Sequence, residues 1–319
     1  MMEKEQWVVI INLKSGKKNF RIQMNYLFKQ LDQAGIVYEH RITEFAGHAT
    51  LIAHKYRKSG YHNFLVVGGD GTMNEVLNGI FSIDHAPNSE RLKIAQIPRG
   101  TGNDWARFWN LTTNYKHAID VFLSNKTQSI DIGKITYTLE GEPKAHHFIN
   151  SIGFGLDAKV VNYAHKLKRY VGSHSILYLI ALLMAVTRFK PKPLKLKSKE
   201  YNTDETLFTI NIANGCYSGG GMKQNPHALP YDGLLDVMLV KRIKFKDIFT
   251  AVPLLFNGKL LEHPIINSFQ SNSIYLDTAD SRYFEADGVI SYYASPVEIT
   301  VLPGVMDMVC RSESCEECS

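Results

Sequence analysis

Residues 68–79 read GGDGTMNEVLNG and follow the apolar run Phe64-Leu65-Val66-Val67. An apolar run of four that ends at a glycine pair is the pattern of a short buried strand. Glycines on both sides of one aspartate let the backbone close on a bulky polar group with no Cβ in the way. A helix is expected to follow from about Met73 to Phe81. The segment is thus one strand–loop–helix unit, with either a tight turn or an anion site at its centre.

Working outward, the same unit recurs over the first ~135 residues, about one domain's length. Trp7 to Asn12 reads as a buried strand, and Phe20 to Ala34 has helical apolar spacing with Gly35 as a stop. Val37 to Thr43 alternates like a strand, and Ala46 to Ser59 is helical. Lys93 to Ile97 is a strand that ends at Pro98, and Asn103 to Trp109 begins a helix. Alternating strands and helices imply an α/β domain with a mostly parallel sheet, whose ligands sit at the carboxyl ends of the strands.

Three glycine-rich loops lie at those ends: NLKSG (12–16), GGDGT (68–72) and PRGTGND (98–104). Exposed backbone N–H groups in such turns, helped by a following helix N-terminus, form an anion-binding concavity. One loop alone would be read as a turn; three at one sheet edge favour polyphosphate. Neither a Walker lysine loop nor G-x-G-x-x-G follows these strands, which excludes a P-loop enzyme and a standard dinucleotide binder. A carboxylate beside phosphate is repelled unless a cation lies between them, so Asp70 points to magnesium. Asp104 and Asp131 (in SIDIG) could extend that acidic shell. The alternatives are a first-turn helix acid for Asp104 and a strand-end turn residue for Asp131.

Beyond ~130, strand-like runs separated by glycine turns dominate: Ser129–Tyr137, His147–Ser151, Leu207–Ala213, Leu235–Val240, Ser273–Asp277 and Val297–Leu302. We expect an α/β domain over 1–133, rejoined by 303–319, and a β-rich domain over 134–302 with a helical insertion at 160–189. Hydrophobic content of 45% and charged content of 21% over 319 residues are ordinary for a globular protein.

The net charge of +5 is local rather than general. Nine Lys/Arg and no acid lie between Lys166 and Lys199, leaving 27 of the 36 basic residues against all 31 acidic ones elsewhere. Within that stretch, Ile176 to Val186 is an uninterrupted apolar run of eleven. As a helix it spans roughly 17 Å, against ~30 Å of hydrocarbon, so it is too short to cross a bilayer. An apolar helix with basic flanks reads as a contact with an anionic membrane surface through 166–199, the alternative being a buried core helix. Aromatic residues are not interleaved with the lysines, which argues against nucleic acid. Of the four cysteines, Cys315 and Cys318 are spaced C-x-x-C without a second pair, and read as a reduced tail rather than a zinc site. The start, MMEKEQWVVIINL, lacks a signal-peptide pattern, so a cytoplasmic location, peripheral at the membrane surface, is expected.

GGDGTMNEVLNG followed by PRGTGNDWAR resembles the soluble diacylglycerol, sphingosine and ceramide kinase family. FINSIGFGLDAKV (148–160), ANGCYSGGGMKQNPHALPYDGLLDVMLV (213–240) and EADGV (285–289) resemble later motifs of that family, in order, so the likeness runs from Asn12 to Pro303. GGDGT alone is also shared with NAD kinases, and a kinase for a soluble acceptor is one alternative. The resemblance implies a nucleotide-binding α/β domain, a C-terminal β-sandwich that binds lipid, and transfer of the γ-phosphoryl group of ATP to a lipid hydroxyl, by default of diacylglycerol. It implies that Asn12, Ser15, Gly16, Thr43, Gly68, Gly69, Asp70, Gly71, Thr72, Asn74, Gly100, Thr101 and Asn103 serve the nucleotide. It implies a water-and-magnesium network at Asp70, Asp104 and Asp131, and a structural Mg2+ on Leu229, Asp232 and Leu234. For PYDGLLD a plain Asp-Gly hairpin turn is the alternative. Bacterial members form dimers, so a homodimer is a further expectation.

One departure matters. The family has DGE where this chain has Asp287, Gly288 and Val289, and valine cannot act as a base. Asp287 stays in the expected catalytic set. Asp70 could take the proton, or Glu285, if it shares a strand face with Asp287. A lipid- or nucleotide-binding protein with weakened catalysis is the third reading.

Overall fold

The computed structural model describes residues 5–16, 20–83, 91–171, 176–277 and 282–311. The chain divides into two compact units, one built from 1–130 with the segment after Gly304, the other from 131–303.

The first unit runs β1 (Gln6–Ile11), α1 (Phe20–Gln33), β2 (Val37–Ile42), α2 (His48–Lys58), β3 (Asn63–Gly68), α3 (Asp70–Ile80), β4 (Leu92–Pro98), α4 (Asp104–Phe108) and α5 (Tyr115–Ser124). Its sheet is parallel in the order β2-β1-β3-β4, and Met306–Met308 adds a further parallel strand beside β4. β1, β3 and β4 are buried almost end to end, as strands covered on both faces must be, whereas edge strand β2 is largely exposed. Trp7, Val9, Ile11, Leu65, Val67 and Ile97 fill one core with Leu27 and Leu31 of α1 and Ile119 and Phe122 of α5. Ile11 pairs with Val67, and Val67 with Ile97, so these three strands end level and release the three glycine loops from one edge.

The helix after GGDGT begins at Asp70, not near Met73. Gly69 is its N-cap in extended backbone, and Gly71 in its first turn faces open space, so the glycines do not delay the helix. Helix α5 falls in a stretch left unread in the sequence; Asn114 caps it by accepting from the His117 N–H.

The second unit contains β5 (Thr127–Leu139), which enters it from the first, then β6 (Glu142–Phe148), β7 (Ser151–Gly155), α6 (Leu156–Val171), α7 (Ile176–Arg188), β8 (Lys192–Lys197), β9 (Asn202–Leu207), β10 (Thr209–Ala213), β11 (Tyr217–Ser218), β12 (Met222–Lys223), β13 (Leu235–Val240), α8 (Phe245–Asn257), β14 (Ile266–Ser271), β15 (Ser273–Asp277), β16 (Arg282–Ala286) and β17 (Val289–Val309), whose last residues, from Gly304, belong to the first unit. One antiparallel layer has the order β14-β13-β10-β7-β16-β17. The other joins β9, β8 and β15 to the middle of β17, which also pairs with β5, itself paired with β6. Ile152, Phe154, Ile210, Ile212, Val237 and Phe284 from the first layer pack with Leu194, Leu196, Ile274, Leu276 and Ile299 from the second, giving a β-sandwich.

The insertion expected at 160–189 is two helices, α6 and α7, and it starts earlier, at Leu156. Ala164, Ala181 and Ala185 are buried in their shared cluster with Leu156 and Val160. The stretch read as one strand over Leu207–Ala213 is broken at Phe208, whose N–H donates to Val240 O and whose carbonyl accepts from Leu156 N. Among the described residues, no helix is long and apolar enough to cross a membrane. The C-x-x-C of Cys315 and Cys318, residues 172–175 and the end of the expected 303–319 return lie outside the described residues. Cys216 and Cys310 are buried and reduced.

Candidate active site

The three loops of the first unit meet. A Cβ on Gly69 would lie 2.7 Å from Gly100 Cα and 3.5 Å from Ser15 Oγ. On Gly16, where φ is +78°, it would lie 2.3 Å from the carbonyl oxygen of Arg99. These glycines are there because the backbones touch. The contact is tied by polar groups as well. Asn12 donates to Thr72 Oγ1 (2.9 Å), and the Arg99 N–H donates to Gly68 O (3.0 Å). The Arg99 guanidinium donates twice to Ser15 O and once to Gln23. A buried arginine thus holds the 12–16 loop against the 98–104 loop. The sequence reading passed over it, although it stands inside PRGTGND.

Asn103 adopts a left-handed backbone (φ 48°) as the N-cap of α4 and donates to Gly100 O at 2.7 Å. Its Oδ1 is buried with no hydrogen-bond partner among the described residues. Thr72 and Asn74 are buried on α3, Thr43 is buried where its N–H continues the ladder to Ile11 O, and Gly71 and Thr101 are exposed. Glu75, also missed, accepts from Gly47 N and Ala49 N and thereby fixes the start of α2.

Asp70 and Asp104 converge. Oδ2 of Asp70 accepts from Asp104 N (3.2 Å) and Oδ1 from Trp105 N (3.4 Å). A Cβ on Gly102 would lie 3.1 Å from Asp104 Oδ2 and 3.2 Å from Asp70 Oδ2. Two carboxylates therefore face one point that a side chain would fill and glycine leaves open. Two hard carboxylate oxygens converging on one point beside the glycine loops suit magnesium.

In the second unit, Asp131 is buried and its Oδ2 accepts from Gly233 N at 2.7 Å, while its N–H donates to Pro230 O. This locks the PYDGLLD turn, in which Gly233 has φ +76° and Asp232 Oδ1 accepts from Leu234 N (2.9 Å). The Asp232 carboxyl is raised above its ordinary range, first by desolvation and then by the Asp131 charge. A cation held by Asp232 with the carbonyls of Leu229 and Leu234 would relieve that repulsion, and the all-oxygen donor set fits magnesium. Among the described residues, no three His, Cys, Asp or Glu side chains form a metal-holding group.

Asp287, a member of the expected catalytic set, has a structural role in the hairpin. It is the first residue of a two-residue turn, Asp287-Gly288, with φ of 47° and 82°, between paired Ala286 and Val289. Positive φ at both positions is the hairpin geometry that Asp-Gly favours. Its carboxylate is buried and accepts from Ile149 N, Asn150 N and Ser151 N at 2.9–3.0 Å. A carboxylate spent on three backbone donors ties the hairpin to the 149–151 turn. The idea that Glu285 shares a regular strand face with it also fails, because β16 ends at Ala286 and the chain turns at 287. Glu285 is buried and accepts from Gly288 N (3.0 Å).

The second unit also holds an apolar cavity of about 120 Å³, walled by Leu156 and Val160 of α6, Leu182 and Val186 of α7, and Ile248 and Leu255 of α8. Its polar lining includes Asp157, Thr209 and Gln224. Asp157 Oδ2 accepts from Asn211 (2.8 Å) and Gln224 (3.0 Å). Burial pushes its carboxyl up to about 6, against the pull of those hydrogen bonds. A Cβ on Gly153 would lie 3.0 Å from Asp157 Oδ2 and 3.2 Å from Glu285 Oε1, so two acids meet over that glycine. The reading of 148–160 as a family segment did not single out Asp157. Its only sequence signal is an acid two residues after a strand-ending glycine.

The profile described as the diacylglycerol kinase catalytic domain matches residues 6–135, and that of the YegS C-terminal NAD kinase beta sandwich-like domain matches 150–310. The chain is 26% identical over 283 residues to a diacylglycerol kinase of Staphylococcus carnosus (strain TM300), covering 88% of this chain and 87% of that one. It is 28% identical over 284 residues to a diacylglycerol kinase of Staphylococcus haemolyticus (strain JCSC1435), covering 88% and 81%. The crystal structure of a candidate diacylglycerol kinase from Bacillus anthracis str. Sterne is similar with a TM-score of 0.77 at 26% identity, over 98% of this chain and 99% of that one. This chain belongs to the diacylglycerol kinase-like lipid kinase family and is a lipid kinase.

Proposed function

We propose that this kinase transfers the γ-phosphoryl group of ATP, with magnesium, to a hydroxyl of an acyl lipid, diacylglycerol being the default acceptor. The observation that carries the reading is the meeting of Gly69, Gly100 and Ser15, with Asp70 and Asp104 facing the gap at Gly102. In this reading the glycine backbones and the start of α3 receive the phosphates, and Asn12, Ser15, Thr43, Thr72, Asn74, Thr101 and Asn103 complete the nucleotide site. Magnesium would be held by Asp70 and Asp104 and would supply neutralisation of the phosphate charge. Phosphoryl transfer depends mainly on such positioning and electrostatics. Asp70 is the carboxylate we assign to the acceptor proton, since Val289 cannot take it and Asp287 is occupied by backbone donors.

The apolar cavity in the second unit supports an acyl acceptor over a soluble one, because its walls offer dispersion contacts and few polar groups. Exposed Arg188, Lys195, Lys197 and Lys199 support a peripheral contact with anionic membrane through 166–199, in a cytoplasmic protein. A second magnesium at Leu229, Asp232 and Leu234 and a homodimer belong to the same proposal. Val289 favours one other reading, a binding protein with weakened turnover.

The test is transfer from labelled ATP and magnesium to diacylglycerol, monoacylglycerol, ceramide, sphingosine and phosphatidylglycerol in mixed vesicles. A labelled lipid establishes the reaction and its acceptor. ATP binding without any labelled lipid would favour the weakened-binder reading.

A further inference from the structure

A second basic, apolar segment lies outside 166–199. Residues 241–259, KRIKFKDIFTAVPLLFNGK, hold five Lys/Arg and one acid. That acid, Asp247, accepts from Lys244 N at 2.7 Å, so it is used within the helix start. Arg242, Lys244 and Lys259 are exposed. Between them runs α8, which has two different apolar faces. Ile248, Ala251, Val252 and Leu255 line the cavity. Phe249 and Phe256, seven residues and hence about two turns apart, are 65% and 58% exposed. Phe256 belongs to both sets, lining the cavity while more than half exposed, so it stands at the cavity's opening.

Phe249 and Phe256 thus present most of their surface to solvent at two-turn spacing. With cationic residues at both ends of the helix, they match the pattern of a helix that lies in the bilayer interface. Anionic headgroups would meet Arg242, Lys244 and Lys259, and the rings would enter the acyl boundary. We infer that α8 is a membrane-docking helix for anionic lipid, placed so that its outer face enters the bilayer while its inner face walls the cavity. An acyl chain then passes from bilayer to cavity along one helix without crossing water. This rests on the lipid-kinase reading, but the docking can be measured without turnover.

The experiment uses the full chain carrying Phe249→Trp and vesicles of phosphatidylglycerol brominated on the acyl chains. Trp7, Trp105 and Trp109 are at most 2% exposed and give a constant background. Docking predicts a blue-shifted emission and bromine quenching of the introduced indole, both lost with phosphatidylcholine vesicles in high salt. Phe249→Glu and, separately, Arg242→Glu with Lys259→Glu should each lower vesicle partitioning about tenfold, since both area and charge set such binding. An unquenched indole on protein that still sediments with the vesicles overturns the proposal, as does wild-type protein that does not sediment. Transfer to short-chain diacylglycerol in detergent micelles, measured in parallel, reports on the kinase reading independently. Phe249→Glu should leave that micellar activity unchanged; its loss there would show a structural role for Phe249 and count against docking.

Discussion

Asp70 accepts the backbone N–H of Asp104, at 3.2 Å, so one carboxylate fixes the start of the helix that carries the other. The two then face the same gap at Gly102. Removing the Asp70 charge should cost both functions together. We expect Asp70→Asn to lower kcat by roughly 10²–10⁴-fold, the range for a proton acceptor or a comparable electrostatic group. Circular dichroism should show the fold intact, since the amide oxygen can still accept one N–H. Wild-type turnover in this variant would remove Asp70 from the site.

Gly69 tests the meeting of the loops without touching a charged group. Its φ of −96° is open to any residue, so alanine brings no backbone strain. Its Cβ, however, would lie 2.7 Å from Gly100 Cα, and backbone cannot swing aside as a side chain does. The 68–72 and 98–104 loops must separate by several tenths of an ångström. Gly69→Ala should weaken ATP binding at least about tenfold in calorimetry, because pre-organised backbone donors lose their geometry. Unaltered affinity would mean that the nucleotide does not use this contact.

Val289→Glu addresses the departure at the hairpin. Asp287-Gly288 keeps its turn, and residue 289 is only partly buried, so glutamate should be accepted with little loss of stability. If Asp70 carries the proton, kcat should change less than about tenfold. A gain of about a hundredfold or more would show that the native site lacks its base and that the weakened reading is right.

The loops were legible because glycines punctuate apolar runs, and the parallel sheet followed from alternating strands and helices. The turn at Asp287-Gly288 was not read, although the dipeptide carries its own backbone preference. What the sequence could not show is where side chains point across long separations. Asp287 is bonded to amides 136–138 positions away. Arg99 reaches back 84 residues to Ser15, and Asp157 meets Asn211 and Gln224 from another strand and a turn. Helix α8 was hidden for a local reason: Pro253 lies inside it, and proline argues against a helix interior. Here the tertiary packing of Ile248, Val252 and Leu255 at the cavity outweighs that preference.

Asp157 gives a pH signature. Its carboxyl, raised to about 6 by burial, keeps its proton in the folded state where the unfolded chain has already lost it. The folded state binds more protons between about pH 4 and 6, so this group's stabilisation is complete below that window and is lost as pH rises through it. At 1.36 kcal/mol per pH unit the full change is about 3 kcal/mol. Asp236, also raised to about 6 by burial, acts in the same sense. His146 and His147, held near 4 and 3 by burial, act in the opposite sense, since their stabilisation is lost as pH falls. The difference between wild type and Asp157→Asn cancels those other groups. From pH 4.5 to 6.5 the wild-type Tm should fall relative to that of the variant, by several degrees in scanning fluorimetry. Parallel Tm curves would mean that Asp157 titrates in its ordinary range and that the cavity's buried acid is solvated in the working enzyme.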